Sequence, residues 1–317
     1  MIMRSAVVIA ALACAACASC TAAETPNGAA GASLSPTPSR QSPTPVKDHR
    51  AHFEADRAVE TVRTLAGGIG RREATSGAFD RAADLVAARF TQLGYHVAQP
   101  TFRVPAGVSW WVPVPAGTSR NVIAMPKTLE PGDRHVIIGA HLDTVPQAPG
   151  AEDNASGVSV MLELARVAAS EGTRLPVVFV AFGAEEPRGS GDDMHHFGSR
   201  EFTAGMSGRE RRSLVAMVSL DRVGVGDEVP VCDGGLTGDA VVRDLRAAGR
   251  RADVPTSSCG VNQSSDHWSF ERAGLPAARL GSTAYDAYHS STDRPRVVQS
   301  AQLQRTGDLA WAFIAAR

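Results

Sequence analysis

Five short, continuous runs of apolar residues recur along the chain, with helical patterns between or after them. A half-exposed strand alternates apolar and polar residues, whereas an uninterrupted apolar run is typical of a strand buried on both faces. The helical patterns lie near residues 155–169, 237–249, 266–273 and 299–315. This alternation predicts an α/β fold in which helices cover both faces of a largely parallel sheet. The predicted strands are Asn121–Ala124, Val136–Ala140, Val177–Phe182, Leu214–Leu220 and Ala277–Leu280.

The segment that precedes this sheet is less regular. Amphipathic patterns predict helices over His52–Leu65 and Phe79–Leu93, each followed by glycine. An extended stretch is predicted near Val97–Val104. Residues 105–118 are rich in glycine and proline, which predicts an irregular loop.

The chain begins with a segment that is typical of export. A run of small apolar residues spans Ala6–Ala18, which is shorter than the roughly 20 residues that cross a bilayer and fits the apolar region of a secretory signal. We therefore predict a signal peptide over residues 1–23 and a secreted, extracytoplasmic protein. Cys14, Cys17 and Cys20 crowd the end of this segment. Lipid anchoring to the cell membrane and cleavage with release both stay open.

Residues 24–47 are rich in Pro, Ser, Thr, Ala and Gly and carry too little apolar surface to offset the entropy of ordering, so we predict a disordered linker. Residues 48–317 then form one catalytic domain, which we expect to be monomeric. A formal net charge of −1 leaves no basic surplus for binding nucleic acid. In an oxidising compartment Cys232 and Cys259 favour a disulfide over two buried thiols.

Ionisable side chains follow almost every predicted strand, at the point where the strand ends. In a parallel sheet these ends meet at one edge, where ligands bind. Carboxylates and imidazoles gathered there would repel one another and resist burial unless cations neutralised them. The residues concerned are His141, Asp143, Asp153, Glu185, Glu186, Asp221 and His289.

The types of these side chains narrow the choice of metal. Imidazoles with carboxylates and no thiolate suit zinc better than magnesium or calcium, which favour all-oxygen sites. Cobalt and manganese stay open as substitutes. One ion needs three or four protein ligands, and more candidates are present. We therefore predict a two-metal centre with ions about 3.5–4 Å apart.

Six segments carry these residues in a distinctive order: Gly139–Asp143, Gly150–Gly157, Ala184–Glu186, Ser219–Asp221, Ser265–His267 and Tyr288–His289. Together they resemble the secreted bacterial di-zinc aminopeptidases, the leucyl-aminopeptidase type of the zinc exopeptidases. The similarity extends from about Phe53 to the C-terminus. It implies a three-layer α/β/α sandwich with a mixed, mostly parallel central sheet.

The resemblance also implies which residues bind metal. Asp153 would bridge two zinc ions. His141 and Asp221 would complete one site. Glu186 and His289 would complete the other.

Three further residues take catalytic positions by the same resemblance. Glu185 would be the general base that activates a metal-bound water. Asp143 would orient the ring of His141. Tyr288 would help to hold the developing oxyanion.

The expected function is hydrolysis of the N-terminal peptide bond of peptides with a free N-terminus, with two zinc ions per chain. The alternative is a carboxypeptidase, a dipeptidase or another amidohydrolase on the same metals, because a fold does not decide among them. A glutaminyl cyclase is less favoured, since the full ligand set suits two metals. A non-enzymatic zinc module would be expected to lack a ligand or the base, and none is missing.

The chain departs from the family pattern in two places. The stretch Pro187–Phe197 is longer than the usual glycine-rich turn after Glu186. We predict a solvated loop there, with His195 and His196 as an extra metal site in the less favoured alternative. Ser264 stands where some relatives hold an arginine that helps to position substrate, so substrate preference cannot be transferred.

Overall fold

The computed structural model describes residues 52–317. The predicted signal peptide, residues 1–23, and the predicted linker, residues 24–47, lie outside these residues and stay predictions. None of the helices between residues 52 and 317 has the length and apolar character that crossing a bilayer requires.

Helices account for much of the described chain, and most of them match the sequence patterns. The N-terminus of α2 is capped by the Ser76 side chain, which accepts a hydrogen bond from the Phe79 amide. A short π-helical turn lies at Arg63–Ile69, and Ala151–Ser156 forms a kinked turn in which Asp153 and Asn154 leave helical geometry. The helices are α1 (Ala55–Val62), α2 (Gly77–Gln92), α3 (Gly157–Glu171), α4 (Phe197–Gly205), α5 (Gly208–Ser213), α6 (Ala240–Arg251), α7 (His267–Arg272) and α8 (Ser300–Ala315).

Twelve strands are found within residues 52–317, eight of them in one sheet. They are β1 (His96–Ala98), β2 (Thr101–Val104), β3 (Gly107–Ser109), β4 (Val112–Val114), β5 (Gly117–Arg120), β6 (Val122–Met125), β7 (His135–His141), β8 (Val177–Phe182), β9 (Leu214–Asp221), β10 (Val229–Asp233), β11 (Thr256–Val261) and β12 (Ala277–Gly281).

The large sheet has the order β1-β6-β8-β7-β9-β12-β10-β11. Its centre is parallel, since β7 pairs in parallel with β8 and β9, and β9 with β12. The two flanks add antiparallel pairs, β6 with β8 on one side and β10 with β12 on the other. The predicted mixed, mostly parallel sheet is therefore confirmed.

Successive residues of the central strands pack into two cores on opposite faces of the sheet. In β7, Val136 and Ile138 join the larger core, while Ile137 joins the smaller one. Helices α1, α2, α3, α6 and α8 lie on the larger core, and α4 and α7 lie on the smaller one. Both faces are thus covered, which explains why these strands are apolar without alternation.

The structure corrects the sequence-based prediction for residues 105–118. Instead of an irregular loop, they contain the hairpin β3–β4 and the start of β5, which pairs with β2. Trp110 and Trp111 form the turn of the hairpin with φ of 44° and 72°. Glycine and proline hide this pairing because each strand of the hairpin has only three residues. Strands β10 and β11 and helices α4 and α5 were also absent from the predicted elements.

The edge strands β10 and β11 are joined by a disulfide between Cys232 and Cys259, whose Cα atoms lie 5.2 Å apart. This agrees with the pairing that an oxidising compartment favours. None of the β11 residues is buried, so the bond ties an edge with little apolar burial of its own to the sheet.

Candidate metal centre

The carboxyl ends of neighbouring parallel strands bring ionisable residues to one edge of the sheet. His141 is the last residue of β7, and Asp221 is the last residue of β9. Glu185 and Glu186 follow β8, which lies on the other side of β7. Asp153 lies in the turn before α3, next to the end of β7. All five side chains are buried.

Two groups of three side chains share one carboxylate. His141 Nε2 lies 3.1 Å from Asp153 Oδ1 and 3.7 Å from Asp221 Oδ1. His289 Nε2 lies 3.0 Å from Asp153 Oδ2 and 3.5 Å from Glu186 Oε2. In each group the candidate ligand atoms lie within 4.8 Å of one another. The structure therefore brings together all five residues predicted as metal ligands, with one oxygen of Asp153 facing each group.

These groups fit divalent cations. Within residues 52–317, Glu186 Oε1 and Asp221 Oδ1 are buried without a hydrogen-bond partner, and a buried carboxylate oxygen in that state is costly unless a cation meets it. Two imidazoles and three carboxylates also form a donor set that zinc accepts. The short distances between each imidazole and its neighbouring carboxylate oxygens are consistent with this fit.

Burial and the contacts between the side chains shift the pKa values of these residues in opposite directions. Burial alone would raise the pKa of Asp153, but hydrogen bonds from His141 and His289 hold that pKa well below its usual range. Burial would lower the pKa of His289, yet Glu186 and Asp153 raise it to about 10. The pKa of His141 is raised as well by the carboxylates around it, so both imidazoles lie in a strongly negative environment.

The turn after β8 aims Glu185 and Glu186 in different directions. Ala184 has a φ of 53°, and the two amides that follow are fixed by the carboxylate of Asp143. Asp143 Oδ1 accepts from the Glu185 amide at 3.0 Å, and Oδ2 accepts from the Glu186 amide at 3.1 Å. Asp143 therefore anchors the turn that carries the predicted base and one predicted ligand.

The predicted contact of Asp143 with the His141 ring is less direct. His141 Nδ1 lies 3.2 Å from the main-chain oxygen of Asp143 and 3.8 Å from its Oδ1. The carbonyl is thus the nearer partner of the ring. The carboxylate is engaged by the two amides of the neighbouring turn.

Glu185 and Tyr288 both line the cleft above the metal centre. Glu185 Oε2 lies 3.9 Å from His141 Nε2, and burial raises the pKa of Glu185 to about 8, although His141 acts in the opposite direction. The Tyr288 ring stacks on His289 with centroids 3.7 Å apart. The cleft has a volume of about 150 Å³ and is also lined by Trp110, Pro187, His195, His196, Arg222 and Ser264.

His196 is a site residue that the sequence reasoning missed. The prediction of a solvated loop is wrong at this position, because His196 is only 4% exposed. Its Nε2 lies 3.2 Å from Glu185 Oε1. The length of the stretch after Glu186 could have indicated His196, because a longer loop at this point has to pack next to Glu185.

Arg279 is a second residue missed from the sequence. It is fully buried in β12, forms an ion pair with Asp221 Oδ2 at 3.2 Å and donates a hydrogen bond to the Asp221 carbonyl at 3.2 Å. Its other terminal nitrogen donates to Ser264 Oγ at 3.0 Å and to Asn262 Oδ1 at 3.1 Å. A lone arginine inside an apolar strand was the available signal, since such a cation requires a buried partner.

Two buried polar residues hold the loop of Asp153. Asp293 accepts from the Glu152 amide at 2.9 Å, from the Asp153 amide at 3.2 Å and from the Tyr285 hydroxyl at 3.0 Å. The Arg72 guanidinium donates to five main-chain oxygens, those of Leu65, Gly70, Leu142, Pro149 and Gly150. These contacts connect the loops around both groups of candidate ligands.

Comparison with known proteins gives a consistent result. Residues 121–314, more than half of the chain, match the profile described as Peptidase family M28. The chain is 33% identical over 211 residues to a protein named Aminopeptidase YwaD from Bacillus subtilis, a match that covers 62% of this chain and 44% of that protein. It is 32% identical over 186 residues to one named Probable lipoprotein aminopeptidase LpqL from Mycobacterium tuberculosis, a match that covers 52% and 35%. The chain spans less than half the length of these relatives.

The fold matches a solved structure described as a zinc aminopeptidase from Bacillus subtilis. The TM-score is 0.74 at 21% sequence identity, and the match covers 83% of this chain and 95% of the other. This likeness confirms the three-layer architecture that the sequence predicted.

Proposed function

Because the chain belongs to peptidase family M28, we propose that it is a zinc-dependent metallo-aminopeptidase that releases the N-terminal residue of peptides. The observation that carries the proposal is the position of Asp153, which offers one oxygen to each of two buried ligand groups. The names of the two relatives, both aminopeptidases, support the same activity.

Two zinc ions per chain would be held by the two groups. His141, Asp153 and Asp221 would bind one ion. Asp153, Glu186 and His289 would bind the other. Bound zinc supplies a Lewis acid that polarises the scissile carbonyl and lowers the pKa of water.

The side chains around the ligands perform the proton transfers. Glu185 takes a proton from the attacking water and delivers it to the leaving amine. Asp143 holds the main chain of Glu185 in place, because its carboxylate accepts a hydrogen bond from the Glu185 amide. The Tyr288 hydroxyl, at the rim of the cleft, donates a hydrogen bond to the substrate oxygen as negative charge develops there.

Replacement of the base tests this proposal. Glu185→Gln keeps the size of the side chain but cannot accept the proton, so we expect turnover of leucyl-aminomethylcoumarin to fall by about 10²–10⁴-fold. Zinc content, measured by mass spectrometry of metals, should stay at two ions per chain. Glu201→Gln, on the exposed face of α4, is the matched control. Wild-type rates for Glu185→Gln would contradict the proposed mechanism.

A second candidate, a carboxypeptidase or dipeptidase on the same site, is favoured by one observation. Arg222 lines the cleft with its guanidinium 4.6 Å from the Tyr288 ring centroid, and it donates to Ser282 Oγ at 3.2 Å. A cation at this position would bind a substrate carboxylate and would not attract a free amino group.

Substrates with and without terminal charges separate the two candidates. An aminopeptidase cleaves aminoacyl-aminomethylcoumarins and loses activity when the amino group is acetylated. A carboxypeptidase cleaves acetylated peptides that end in a free carboxylate, and a dipeptidase cleaves free dipeptides and loses activity when their C-terminus is amidated. Arg222→Gln should then lower kcat/KM only for substrates with the free carboxylate.

We further propose that the protein acts outside the cytoplasm as a monomer. The apolar segment near its N-terminus and the name of the LpqL relative, a probable lipoprotein, support export with an N-terminal lipid as tether. Metabolic labelling with a fatty acid would separate lipid anchoring from release. Light scattering of the purified enzyme would test the monomer.

A further inference from the structure

The segment between Glu186 and α4 folds back onto the turn that carries the two glutamates. The His196 amide donates to the Glu185 carbonyl at 2.9 Å, and the Phe197 amide donates to the Ala184 carbonyl at 2.9 Å. The beginning of the segment is tied as well, since the Arg188 guanidinium donates to the carbonyls of Pro105 and Pro115. The segment is therefore fixed at its end and near its beginning.

This main-chain arrangement directs the His196 ring at Glu185. His196 Nε2 lies 3.2 Å from Glu185 Oε1, and the two residues are 4% and 6% exposed. A general base is ionised before it accepts a proton, and an ionised carboxylate can only accept hydrogen bonds, so in that state the imidazole nitrogen would be the donor. The other oxygen, Oε2, faces the ligand group at 3.9 Å from His141 Nε2. The two oxygens of Glu185 thus have different neighbours.

A glutamate carboxylate without such a contact would rotate freely. The last torsion of the side chain is broad and roughly two-fold, so an unrestrained Glu185 would populate orientations in which neither oxygen is placed for proton transfer. A displacement of about 1 Å in a reacting group can reduce a rate by about 10²-fold.

We propose that His196 is a positioning residue, which donates a hydrogen bond to Glu185 Oε1 and reserves Oε2 for the proton that is transferred. The proposal rests on the proposed hydrolytic function. It assigns a role to the segment Pro187–His196 that follows Glu186.

Asp193 provides the matched control, because it belongs to the same segment as His196. Its side chain is 86% exposed and pairs with Arg200 on the surface. Asp193→Ala therefore changes the segment and leaves the contact between His196 and Glu185 in place. A loss seen with His196 variants but not with Asp193→Ala reports the contact with the base.

Kinetics of three variants test the role. His196→Ala should lower kcat by about 10–100-fold with KM and zinc content unchanged. His196→Gln places an amide N–H near the position of Nε2 and should recover most of this loss. Asp193→Ala should stay near the wild-type kcat. Equal losses in His196→Ala and His196→Gln, or a wild-type kcat in His196→Ala, would overturn the proposal.

A measurement on the metal-free chain does not depend on activity. In protein labelled with ¹⁵N-histidine, the His196 Nε2–H proton should be observed by NMR and protected from exchange, and Glu185→Ala should remove this protection. Absence of protection in the wild type would overturn the proposal. If protection is present but no peptide or amide is cleaved, the proposed function fails while the hydrogen bond stands. If peptides are cleaved and His196→Ala keeps full kcat, only the role of His196 fails.

Discussion

The two halves of the candidate metal centre are built in different ways. In the inner half, His141 and Asp221 are the last residues of adjacent central strands, and their exposed fractions are 1% and 3%. In the outer half, Glu186 and His289 lie on loops and are 6% and 8% exposed. Asp153 belongs to both.

The surroundings differ as well. Asp221 in the inner half is paired with the buried cation of Arg279. His289 in the outer half is covered by aromatic rings, with Tyr288 stacked on it and the Trp110 centroid 4.2 Å away. The sheet therefore fixes the inner half, whereas hydrogen bonds between loops and an aromatic cover hold the outer half. We expect the inner half to bind its ion more tightly and to release it later.

Replacement of Asp153, the ligand that both halves share, should affect metal binding in both halves alike. Asp153→Ala deletes one oxygen from each group, so we expect loss of both ions and a fall in kcat/KM of about 10³-fold or more. Zinc content and turnover measure the effect. Asp227→Ala, on an exposed loop, should retain both ions. Retention of two ions by Asp153→Ala would disprove the shared site.

Replacing one histidine ligand in each half by alanine should show which half binds its ion more tightly. His289→Ala should still bind one ion per chain, because the inner group stays complete. His141→Ala should bind fewer ions, since the group that the sheet fixes is broken. Removal of zinc from the wild type by a chelator should proceed in two phases, and only the slower phase should persist in His289→Ala. A single phase in the wild type would show that the halves are equivalent.

The buried ion pair should matter for stability in the inner half. Arg279→Met leaves an oxygen of Asp221 buried without its partner, so we expect the free energy of unfolding of the metal-free chain to fall by about 3–5 kcal/mol. Urea denaturation measures this change. Arg243→Met removes an exposed pair with Asp239 and should change stability by less than about 1 kcal/mol. A similar small effect for Arg279→Met would contradict the distinction.

The aromatic cover should affect substrate more than metal. Trp110→Ala opens the outer side of the cleft, and we expect KM to change by a few-fold, roughly 1 kcal/mol, with zinc content unchanged. Trp111, which is 89% exposed at the same turn, is the control and should have no effect when replaced by alanine. Loss of zinc in Trp110→Ala would assign the ring a structural role in the outer half.

Much of the fold was predictable from the sequence because burial on both faces leaves an unambiguous pattern. The runs Val136–Ala140 and Val177–Phe182 matched β7 and β8 almost residue for residue. The hairpin β3–β4 and the edge strand β11 were not predicted, since short or exposed strands carry little apolar periodicity. Their pairing depends on partners that are distant in the sequence or on the conformation of a single turn.

The candidate ligands could be found for a similar reason. His141 and Asp221 directly follow predicted strands, so the parallel arrangement alone placed them together. Asp293 and Arg72 left no comparable signal, and the arginine inside the apolar run of β12 indicated a buried partner without identifying it. All three are buried polar residues whose partners are main-chain groups or polar side chains of other segments, and no local pattern encodes which segments these are.

The sequence by itself determined the layered sheet and the chemical types that gather at its edge, because apolar periodicity and strand ends are local properties of the chain. Only the tertiary structure decided which oxygen of Asp153 faces which group, that Arg279 pairs with one oxygen of Asp221, and that His196 contacts Glu185. These are contacts between segments far apart in sequence, and their distances follow from packing rather than from any one segment.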